Sequence, residues 1–163
     1  MTSTDKAIAE VGNAATTVLR GATLHHIGFV VQSIARTAEG FANAIGAHWD
    51  AQVIHDPLQQ VRVTFMSRGD SAPLIELIEP AEPKSPVSNF VSAGGGLHHL
   101  CYEVTSLDDE LRFARSVGSL VVKRPLPAVA FGGRRIAWVV TKQNLLLEYL
   151  EATLGSVAAN GND

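Results

Sequence analysis

Apolar residues of this chain cluster in short runs that predict strands, interrupted by two longer segments with helical spacing. Leu24–Val31 and Leu97–Val104 are rich in apolar and β-branched residues, which favours a strand in each case. In segments 33–46 and 106–118 the pattern changes to that of an amphipathic helix. Each segment begins with a serine suited to an N-cap and ends with a glycine suited to a C-cap. The pattern therefore predicts a strand followed by a helix, twice.

Further strand-like runs follow each of these helices. They lie around residues 48–54, 60–66 and 73–79 in the first half, and around 119–123, 134–140 and 144–150 in the second. A proline-containing connector with a short helix at 86–93 joins the two halves. Both halves are thus predicted as β-α-β-β-β modules, which places the chain in the α+β class.

The predicted elements also set the domain organisation. We expect residues 22–152 to form one domain of two tandem modules, at about 22–83 and 95–152. Residues 1–21 contain many small residues and are predicted to be an N-terminal extension. Residues 153–163 are small and polar, and are predicted to be a flexible tail.

An internal repeat supports this division into two modules. The segment LHHIGFVVQSI aligns without a gap with LHHLCYEVTSL, which lies 73 residues further on. LIELIE at 74–79 likewise resembles LLEYLE at 146–151. His26 therefore precedes Glu76 by 50 residues, and His99 precedes Glu148 by 49. The duplication supplies a histidine on the first strand and a glutamate on the last strand of each module.

These four residues are candidate metal ligands because of where alternating strands place them. Side chains point alternately to the two faces of a strand, so the apolar neighbours of each residue share its face. A buried carboxylate without a partner is costly, so two of them on apolar strands imply a bound cation. The predicted ligands are His26, Glu76, His99 and Glu148. Two nitrogens and two oxygens suit Zn²⁺, Co²⁺, Ni²⁺, Mn²⁺ or Fe²⁺, and the ligand set does not choose among them.

The other histidines and the single cysteine receive structural roles. His25 and His98 directly precede the candidate ligands, so we expect them to point to the opposite face and to make structural hydrogen bonds. His48 and His55 lie outside the repeat and are predicted to be ordinary surface or strand residues. Cys101 shares a face with His99 and is predicted to be a buried free thiol that packs as a small apolar side chain.

Charge and composition exclude several classes of function. The formal net charge is −3, so no overall positive field attracts nucleic acid or anionic lipid. No apolar run reaches the roughly 18–20 residues that span a bilayer, and the N-terminus does not resemble a secretory signal. One cysteine permits no internal disulfide. We expect a soluble cytoplasmic protein that binds neither nucleic acid nor membranes.

The motifs resemble those of the vicinal oxygen chelate superfamily, which includes glyoxalase I, extradiol dioxygenases and fosfomycin-resistance proteins. LHHIGFVV, IELIEP with its proline-containing connector, GLHHLCYEV, GGRRIAWV and LLLEYLE are most similar to methylmalonyl-CoA epimerases. The resemblance spans about residues 22–152. It implies a cupped, partly open barrel around a divalent metal held by the four candidate ligands, and homodimers are common in the family.

The resemblance also implies a reaction. Members of this superfamily bind a substrate through two neighbouring oxygens, and a metal stabilises the enolate. We expect Glu148 to remove the proton next to the carbonyl, with Glu76 as the second candidate. Some epimerases carry a further glutamate after the first helix, where this chain offers Gln59, Gln60 and Arg62. The turn Val140–Asn144 also lacks the His-Pro-Lys sequence usual in the family.

Other residues are candidates for shaping the substrate site. A segment rich in proline and glycine is flanked by Lys123, Arg124, Arg134 and Arg135, and one interpretation is a mobile rim that contacts the phosphates of a coenzyme A thioester. An alternative is that this segment is a solvated surface loop. Four aromatic residues are candidates for lining either the cavity or the core: Trp49, Phe65, Phe131 and Trp138.

Three functions follow for this chain. The first is a metal-dependent epimerase or isomerase acting on an acyl-CoA such as methylmalonyl-CoA. The second is a glyoxalase-type lyase or a ring-cleaving dioxygenase, although dioxygenases of the superfamily bind iron with two histidines and one glutamate, and Glu76 adds a fourth ligand. The third is a metal-free protein that sequesters a small molecule, against which the complete ligand set argues.

Overall fold

The computed structural model describes residues 21–70 and 72–153. The predicted N-terminal extension at 1–21 lies outside this part except for Gly21, and the predicted tail at 153–163 lies outside it except for Thr153. The domain and module boundaries therefore stay predictions, although the elements described below fall on either side of the predicted connector.

The observed elements follow the duplicated order. The first half contains β1 (Thr23–Val30), α1 (Ile34–Ile45), β2 (His48–Trp49), β3 (Ile54–Asp56), β4 (Val61–Ser67) and β5 (Leu74–Pro80). A short helix, α2 (Ser88–Ser92), leads to the second half, which contains β6 (Gly96–Val104), α3 (Leu107–Ser116), β7 (Leu120–Pro127), a 3₁₀ turn (Val129–Phe131), β8 (Arg135–Val140) and β9 (Leu146–Glu151). The predicted α+β class is confirmed.

All nine of these strands join one sheet with approximate twofold symmetry. The order is β2-β4-β5-β1-β6-β9-β8-β7, and β3 pairs with β4 outside this path. β1 and β6 run antiparallel to each other at the centre. β5 runs parallel to β1, and β9 runs parallel to β6 in the same way. The strands that carry the candidate ligands are therefore the four central neighbours of the sheet.

The sheet is strongly curved, as contacts between residues near its two ends show. Lys123 on the edge strand β7 donates a hydrogen bond from Nζ to Oε1 of Gln59, just before β4, over 2.6 Å. The backbone N–H of Val129 also donates to Oδ2 of Asp56 at the end of β3, over 2.8 Å. These contacts close the sheet across its open side. The predicted cupped, partly open barrel is confirmed.

The two longer helices cover the outer face of the sheet. Ile34, Ala38 and Ala42 of α1 pack with Met66 and Leu77, and α3 packs in the same way on the second half. Leu77 alternates with Glu76 along β5, so the candidate ligands point to the inner face. Within the described residues, no helix combines the length and apolar character needed to cross a bilayer.

Two details differ from the sequence prediction. The single run expected at 48–54 is divided into β2 and β3, because Ala51 adopts a left-handed φ of 62° and the Asp50 carboxylate accepts the backbone N–H of Gln52. At the start of α1, Ser33 holds the N-cap position but makes no capping hydrogen bond. Glu79 instead accepts the N–H of Ile34 over 2.7 Å, so the helix is capped from the neighbouring strand β5.

Candidate metal centre

The four candidate ligands come together at the centre of the inner face. His26 Nε2 lies 3.0 Å from His99 Nε2, 3.3 Å from Glu76 Oε2 and 3.1 Å from Glu148 Oε2. His99 Nε2 lies 3.5 Å from both carboxylates. The four residues are almost inaccessible to solvent, with exposures of 0, 1, 5 and 3% for His26, His99, Glu76 and Glu148. The structure therefore brings together the four residues that the sequence predicts as metal ligands, and their role as ligands stays a prediction. We call them the donor cluster.

The predicted facing of the two preceding histidines was wrong. Across the central β1–β6 ladder, Leu24 and His26 oppose adjacent residues of β6, so His25 is skipped by the pairing. His98 is skipped in the same way, because Gly28 and Phe29 oppose His99 and Leu97. Each register shift turns the first histidine of the pair toward its neighbour. Nδ1 of His25 lies 2.9 Å from Nδ1 of His26, and the corresponding distance between His98 and His99 is 3.0 Å.

These contacts give His25 and His98 the hydrogen-bonding role expected of them. Burial and the adjacent His26 lower the pKa of His25, and burial and the adjacent His99 lower the pKa of His98 to about 4. Both rings are thus neutral near pH 7, and each can accept one hydrogen bond. A histidine that offers Nε2 to a cation carries its proton on Nδ1, so these neighbours would fix the ring orientation and tautomer.

The donor cluster strongly favours a positive charge at its centre. Burial alone would lower the pKa of His26, but Glu76 and Glu148 outweigh it and raise this pKa to about 10. Burial alone would raise the pKa of Glu148, but hydrogen bonds with His26 and His99 hold it well below its usual range. Two buried carboxylates therefore require a cation between them. A protonated histidine or a metal ion satisfies this requirement.

The spacing of the donor atoms fits a divalent metal. Bonds of about 2.1 Å from a metal to nitrogen or oxygen place neighbouring ligand atoms roughly 3.0–3.4 Å apart in tetrahedral or octahedral sites. The five distances within the donor cluster range from 3.0 to 3.5 Å. One ligand atom each from His26, Glu76 and His99 also lies within 4.8 Å of the others. The residues present can therefore hold a divalent metal with little rearrangement.

Cys101 supports the second half of the donor cluster. It is fully buried, as predicted, and lies opposite Glu148 on β9 and opposite His26 on β1. Burial and the negative charge of Glu148 raise the pKa of its thiol, so it stays protonated. Cys101 thus packs as a neutral thiol between the strands that carry His26 and Glu148.

Aromatic rings surround the two histidines of the donor cluster. Phe131 stacks on His26 with the ring centres 5.6 Å apart, and Phe65 meets the same ring edge-on at 5.8 Å. Trp138 packs edge-on against His99 at 4.7 Å. Trp49 lies elsewhere, since its indole N–H donates to Thr64 and its ring packs under α1. Three of the four aromatic candidates therefore surround the cluster, and the fourth belongs to the core.

A cavity of about 320 Å³ opens beside the donor cluster. Glu76, His99 and Glu148 form part of its lining, and most of the remaining lining is apolar. Its other residues include Val61, Val63, Ile78, Val87, Val122, Ala128, Ala130, Phe131, Ile136 and Trp138. The volume is in the range of small-molecule sites, in which a few polar groups set the orientation of the ligand.

Asp56 and Gln59 also line this cavity. Of the two, Asp56 was not identified as a site residue from the sequence. Oδ1 of Asp56 accepts the backbone N–H groups of Leu58 and Gln59, and Oδ2 accepts that of Val129. Asp56 therefore joins the two halves through backbone contacts. The Asp-Pro sequence at 56–57 is a turn signal, which could have identified the first two bonds but not the bond to Val129.

The predicted basic rim is only partly present. Arg134 pairs with Glu103, and Arg135 pairs with Glu151 over 2.6 Å and lies 3.5 Å from Asp108. These two guanidinium groups are thus engaged by carboxylates of the protein itself. Lys123 instead faces the cavity, and Arg124 on the same strand is exposed. A role for Arg134 and Arg135 in binding phosphates is therefore not supported by their contacts.

Gly28 makes room for His99. It lies opposite His99 on one side and opposite Glu76 on the other. A Cβ at this position would lie 2.1 Å from Cε1 and 2.4 Å from Nδ1 of the His99 ring. Such contacts are far shorter than van der Waals separation, so the imidazole would have to move. The small residue is therefore part of the construction of the site.

We expect Gly28→Ala to lower the affinity for a divalent metal by about 10- to 100-fold, as displacement of a ligand's support does in other metal sites. Gly40→Ala is the matched control, because a Cβ at Gly40 in α1 meets nothing within 4 Å and alanine favours the helix. Metal retained after dialysis against a graded chelator measures the difference. Equal retention by both variants would show that His99 is not confined as described.

Comparisons with known proteins agree with this architecture. A family model described as the Glyoxalase/Bleomycin resistance protein/Dioxygenase superfamily matches residues 25–138. The mitochondrial methylmalonyl-CoA epimerase of Dictyostelium discoideum is 25% identical over 123 residues, which cover 73% of this chain and 70% of that protein. The ethylmalonyl-CoA/methylmalonyl-CoA epimerase of Cereibacter sphaeroides is 26% identical over 121 residues, which cover 73% and 88%.

A solved structure gives the same result for the fold. The methylmalonyl-CoA epimerase of Mycobacterium tuberculosis superposes with a TM-score of 0.69 and 25% identity, covering 78% of this chain and 86% of that one. The family model covers more than half of the chain and includes both histidines of the donor cluster. The resemblance inferred from the repeated motifs is thereby confirmed. The chain belongs to the Glyoxalase/Bleomycin resistance protein/Dioxygenase superfamily, and its similar relatives include methylmalonyl-CoA epimerases.

Proposed function

We propose that this protein is a metal-dependent epimerase or isomerase that removes a proton next to a carbonyl group, on an acyl-CoA such as methylmalonyl-CoA. The observation that carries the proposal is the convergence of four buried donors, two imidazoles and two carboxylates, of which Glu76, His99 and Glu148 line a mostly apolar cavity. The names of the similar relatives support the choice of reaction and substrate.

The residues of the site have separate roles in metal binding, in proton transfer and in the exclusion of water. His26, Glu76, His99 and Glu148 would hold the divalent metal. A metal bound there supplies a Lewis acid that stabilises negative charge on a substrate oxygen. Glu148 accepts the proton as the C–H bond breaks, and the bonding electron pair moves toward the carbonyl oxygen. The apolar lining of the cavity excludes water from the substrate carbon that has lost its proton.

Return of the proton decides whether the centre is inverted. Glu148 can return it to the face from which it came, and inversion requires delivery to the opposite face. Glu76 is the second candidate for this step, since it belongs to the same donor cluster and lines the same cavity. Asp56 is a poor candidate, because both of its oxygens accept backbone N–H groups.

Metal analysis combined with deuterium exchange tests the proposal. The purified protein, loaded with each of several divalent metals, is incubated in D₂O with a panel of acyl-CoA thioesters and hemithioacetals. We expect metal-dependent deuterium uptake next to the carbonyl of a 2-methyl-branched dicarboxylyl-CoA. Uptake and stereochemistry are followed separately, because exchange without inversion would indicate one base and a different substrate.

Other outcomes of this panel point to the other functions. Conversion of a hemithioacetal without thioester exchange would indicate a glyoxalase-type lyase. Tight binding of a small molecule with no turnover at full metal occupancy would indicate a sequestering protein. No exchange with any thioester would refute the epimerase proposal. Homodimer formation and a cytoplasmic location stay predictions.

A further inference from the structure

Phe131 covers one face of the His26 ring. The two rings are stacked, with their centres 5.6 Å and their planes 23° apart. The nitrogens of His26 face other neighbours, since Nε2 points to the donor cluster and Nδ1 lies beside His25. Because His26 is fully buried, these neighbours together fix the orientation of its imidazole. The position of Phe131 therefore affects where Nε2 points.

Phe131 belongs to a loop with little regular structure of its own. The loop comprises residues 128–134 between β7 and β8, and it contains the 3₁₀ turn Val129–Phe131. Gly132 and Gly133 follow this turn with left-handed φ angles of 64° and 84°. The hydrogen bonds of such a short turn have poorer geometry than those of an α-helix, so bonds to the rest of the protein hold it in place. We call residues 128–134 the Phe131 loop.

Asp56 holds this loop from the first half of the protein. Its Oδ2 accepts the backbone N–H of Val129 over 2.8 Å. Its Oδ1 accepts the N–H groups of Leu58 and Gln59, each over 3.0 Å, and these two local bonds fix the carboxylate itself. Asp56 is only 2% exposed, so the bond to Val129 is shielded from water. A hydrogen bond to a buried carboxylate is stronger than one between neutral groups.

A second contact holds the other end of the Phe131 loop. Arg134 pairs with Glu103 on β6, so this end is held within the second half. The guanidinium carbon of Arg134 also lies 5.8 Å from the centre of the Phe131 ring. Loss of the bond to Asp56 would therefore loosen the loop without releasing it completely.

We propose that Asp56 is a positioning residue for the donor cluster. Through the N–H of Val129 it holds the Phe131 ring against His26, and so keeps Nε2 of His26 directed at the other three donors. The inference rests on the proposed function, in which His26 binds a divalent metal. It assigns to the first half a residue that controls a loop of the second half, which in turn packs on a ligand of the first.

Two other roles for Asp56 have to be separated from this one. As a proton carrier, Asp56 would act through its own carboxylate, but three N–H groups already occupy most of the acceptor positions of that carboxylate. As a purely structural residue, it would affect the stability of the fold and leave the geometry of the donor cluster unchanged. The three roles predict different results for substitutions on the two sides of the bond.

Substitutions on each side remove the same hydrogen bond. Asp56→Asn is nearly isosteric, and its amide oxygen can keep the two local bonds, but its NH₂ group cannot accept from Val129. Val129→Pro removes the N–H instead. Proline is tolerated there because Val129 is the first residue of the 3₁₀ turn, and Ala128 has the extended backbone (φ −119°, ψ 127°) that proline requires of the residue before it.

Binding of Co²⁺ tests the inference without turnover, because the visible absorption of this ion reports its coordination geometry. We expect each variant to bind Co²⁺ about 3- to 10-fold more weakly, less than the effect of losing a direct partner of a ligand, and with an altered spectrum. The double variant should be no worse than the weaker-binding single variant, because both changes remove one bond. Thermal melts verify that all of the variants fold.

Each variant has a matched control. Val129→Ala shortens the half-exposed side chain but keeps the N–H that Asp56 accepts. Asp50→Asn changes an exposed aspartate whose carboxylate accepts the nearby N–H of Gln52. Both controls should bind Co²⁺ with the affinity and the spectrum of the parent protein.

Three results would overturn the inference. Lower melting temperatures with unchanged Co²⁺ affinity and spectrum would make Asp56 purely structural. Loss of deuterium exchange in Asp56→Asn but not in Val129→Pro, with Co²⁺ binding unchanged in both, would make it a proton carrier. A parent protein that binds no Co²⁺ would refute the proposed function together with this inference, whereas the first two results leave the proposed function intact.

Discussion

Replacing His26 or His99 by alanine is expected to lower the affinity for a divalent metal by more than about 100-fold, beyond the usual effect of losing a supporting residue. Each histidine places Nε2 within 3.5 Å of the other imidazole and of both carboxylates. Removing one leaves three donors and opens a buried gap between two negative charges. Metal content after gel filtration, measured by elemental analysis, checks the result.

The neighbouring histidines provide matched controls for this experiment. His25→Ala and His98→Ala remove a hydrogen-bond acceptor from Nδ1 of each cluster histidine but leave all four donors in place. We expect them to lower metal affinity by about 10- to 100-fold, so these variants should still load at high metal concentration. His48→Ala, at an exposed position, should change nothing. Metal loss in the two controls with retention in the cluster variants would contradict the assignment.

Replacing Glu148 by glutamine is expected to slow proton exchange by about 10²- to 10⁴-fold at saturating metal, the usual contribution of a general base. The amide oxygen can still approach a cation, but an amide does not accept the proton. Deuterium uptake under single-turnover conditions measures the effect. Metal content is determined in the same samples, so that a loss of metal is not mistaken for a loss of the base.

Glu76→Gln is the control for this prediction, because Glu76 has nearly the same relation to the two histidines. The two carboxylates differ in their neighbours, since Glu148 lies opposite Cys101, whereas Glu76 lies opposite Gly28. We expect Glu76→Gln to slow deuterium uptake less than Glu148→Gln does, and to slow inversion of the carbon centre more than it slows uptake. The reverse order would assign the primary base to Glu76.

The repeat explains why the donor cluster could be predicted from the sequence. Duplicated strands carry the same side chain to the same place in each half, so two His–Glu pairs had to approach a common axis. The repeat extends to the aromatic neighbours of the cluster, because Phe65 opposite Glu76 corresponds to Trp138 opposite Glu148. The aromatic packing around the cluster therefore follows from the same symmetry.

The positions of His25 and His98 could not be obtained from strand alternation. Alternation assumes a regular ladder, and both strands skip a residue at the first histidine of the pair. A skipped residue changes which face a side chain meets. Two adjacent polar residues in an otherwise apolar strand were the available signal, because a regular strand would place one of them in the helix-facing core.

Contacts between segments that are distant along the chain could not be predicted from the sequence either. The bonds from Lys123 to Gln59 and from Val129 to Asp56 join residues 64 and 73 positions apart. They depend on the curvature of the whole sheet, which the hydrophobic pattern does not specify. The same is true of Arg134 and Arg135, whose carboxylate partners lie on other strands of the second half. The local sequence suggests a basic loop, but ion pairs with Glu103 and Glu151 on other strands neutralise the charges of these two arginines.

The central β1–β6 seam has a consequence for the protein while it is being synthesised. The first half carries only one imidazole and one carboxylate of the donor cluster, His26 and Glu76, and its strand β1 lacks its antiparallel neighbour until β6 emerges. A nascent first half thus offers an incoming ion two donors rather than four, and an uncovered sheet edge as well. Binding of the proposed metal by all four donors would therefore require the second half, which would couple uptake of the ion to completion of the sheet.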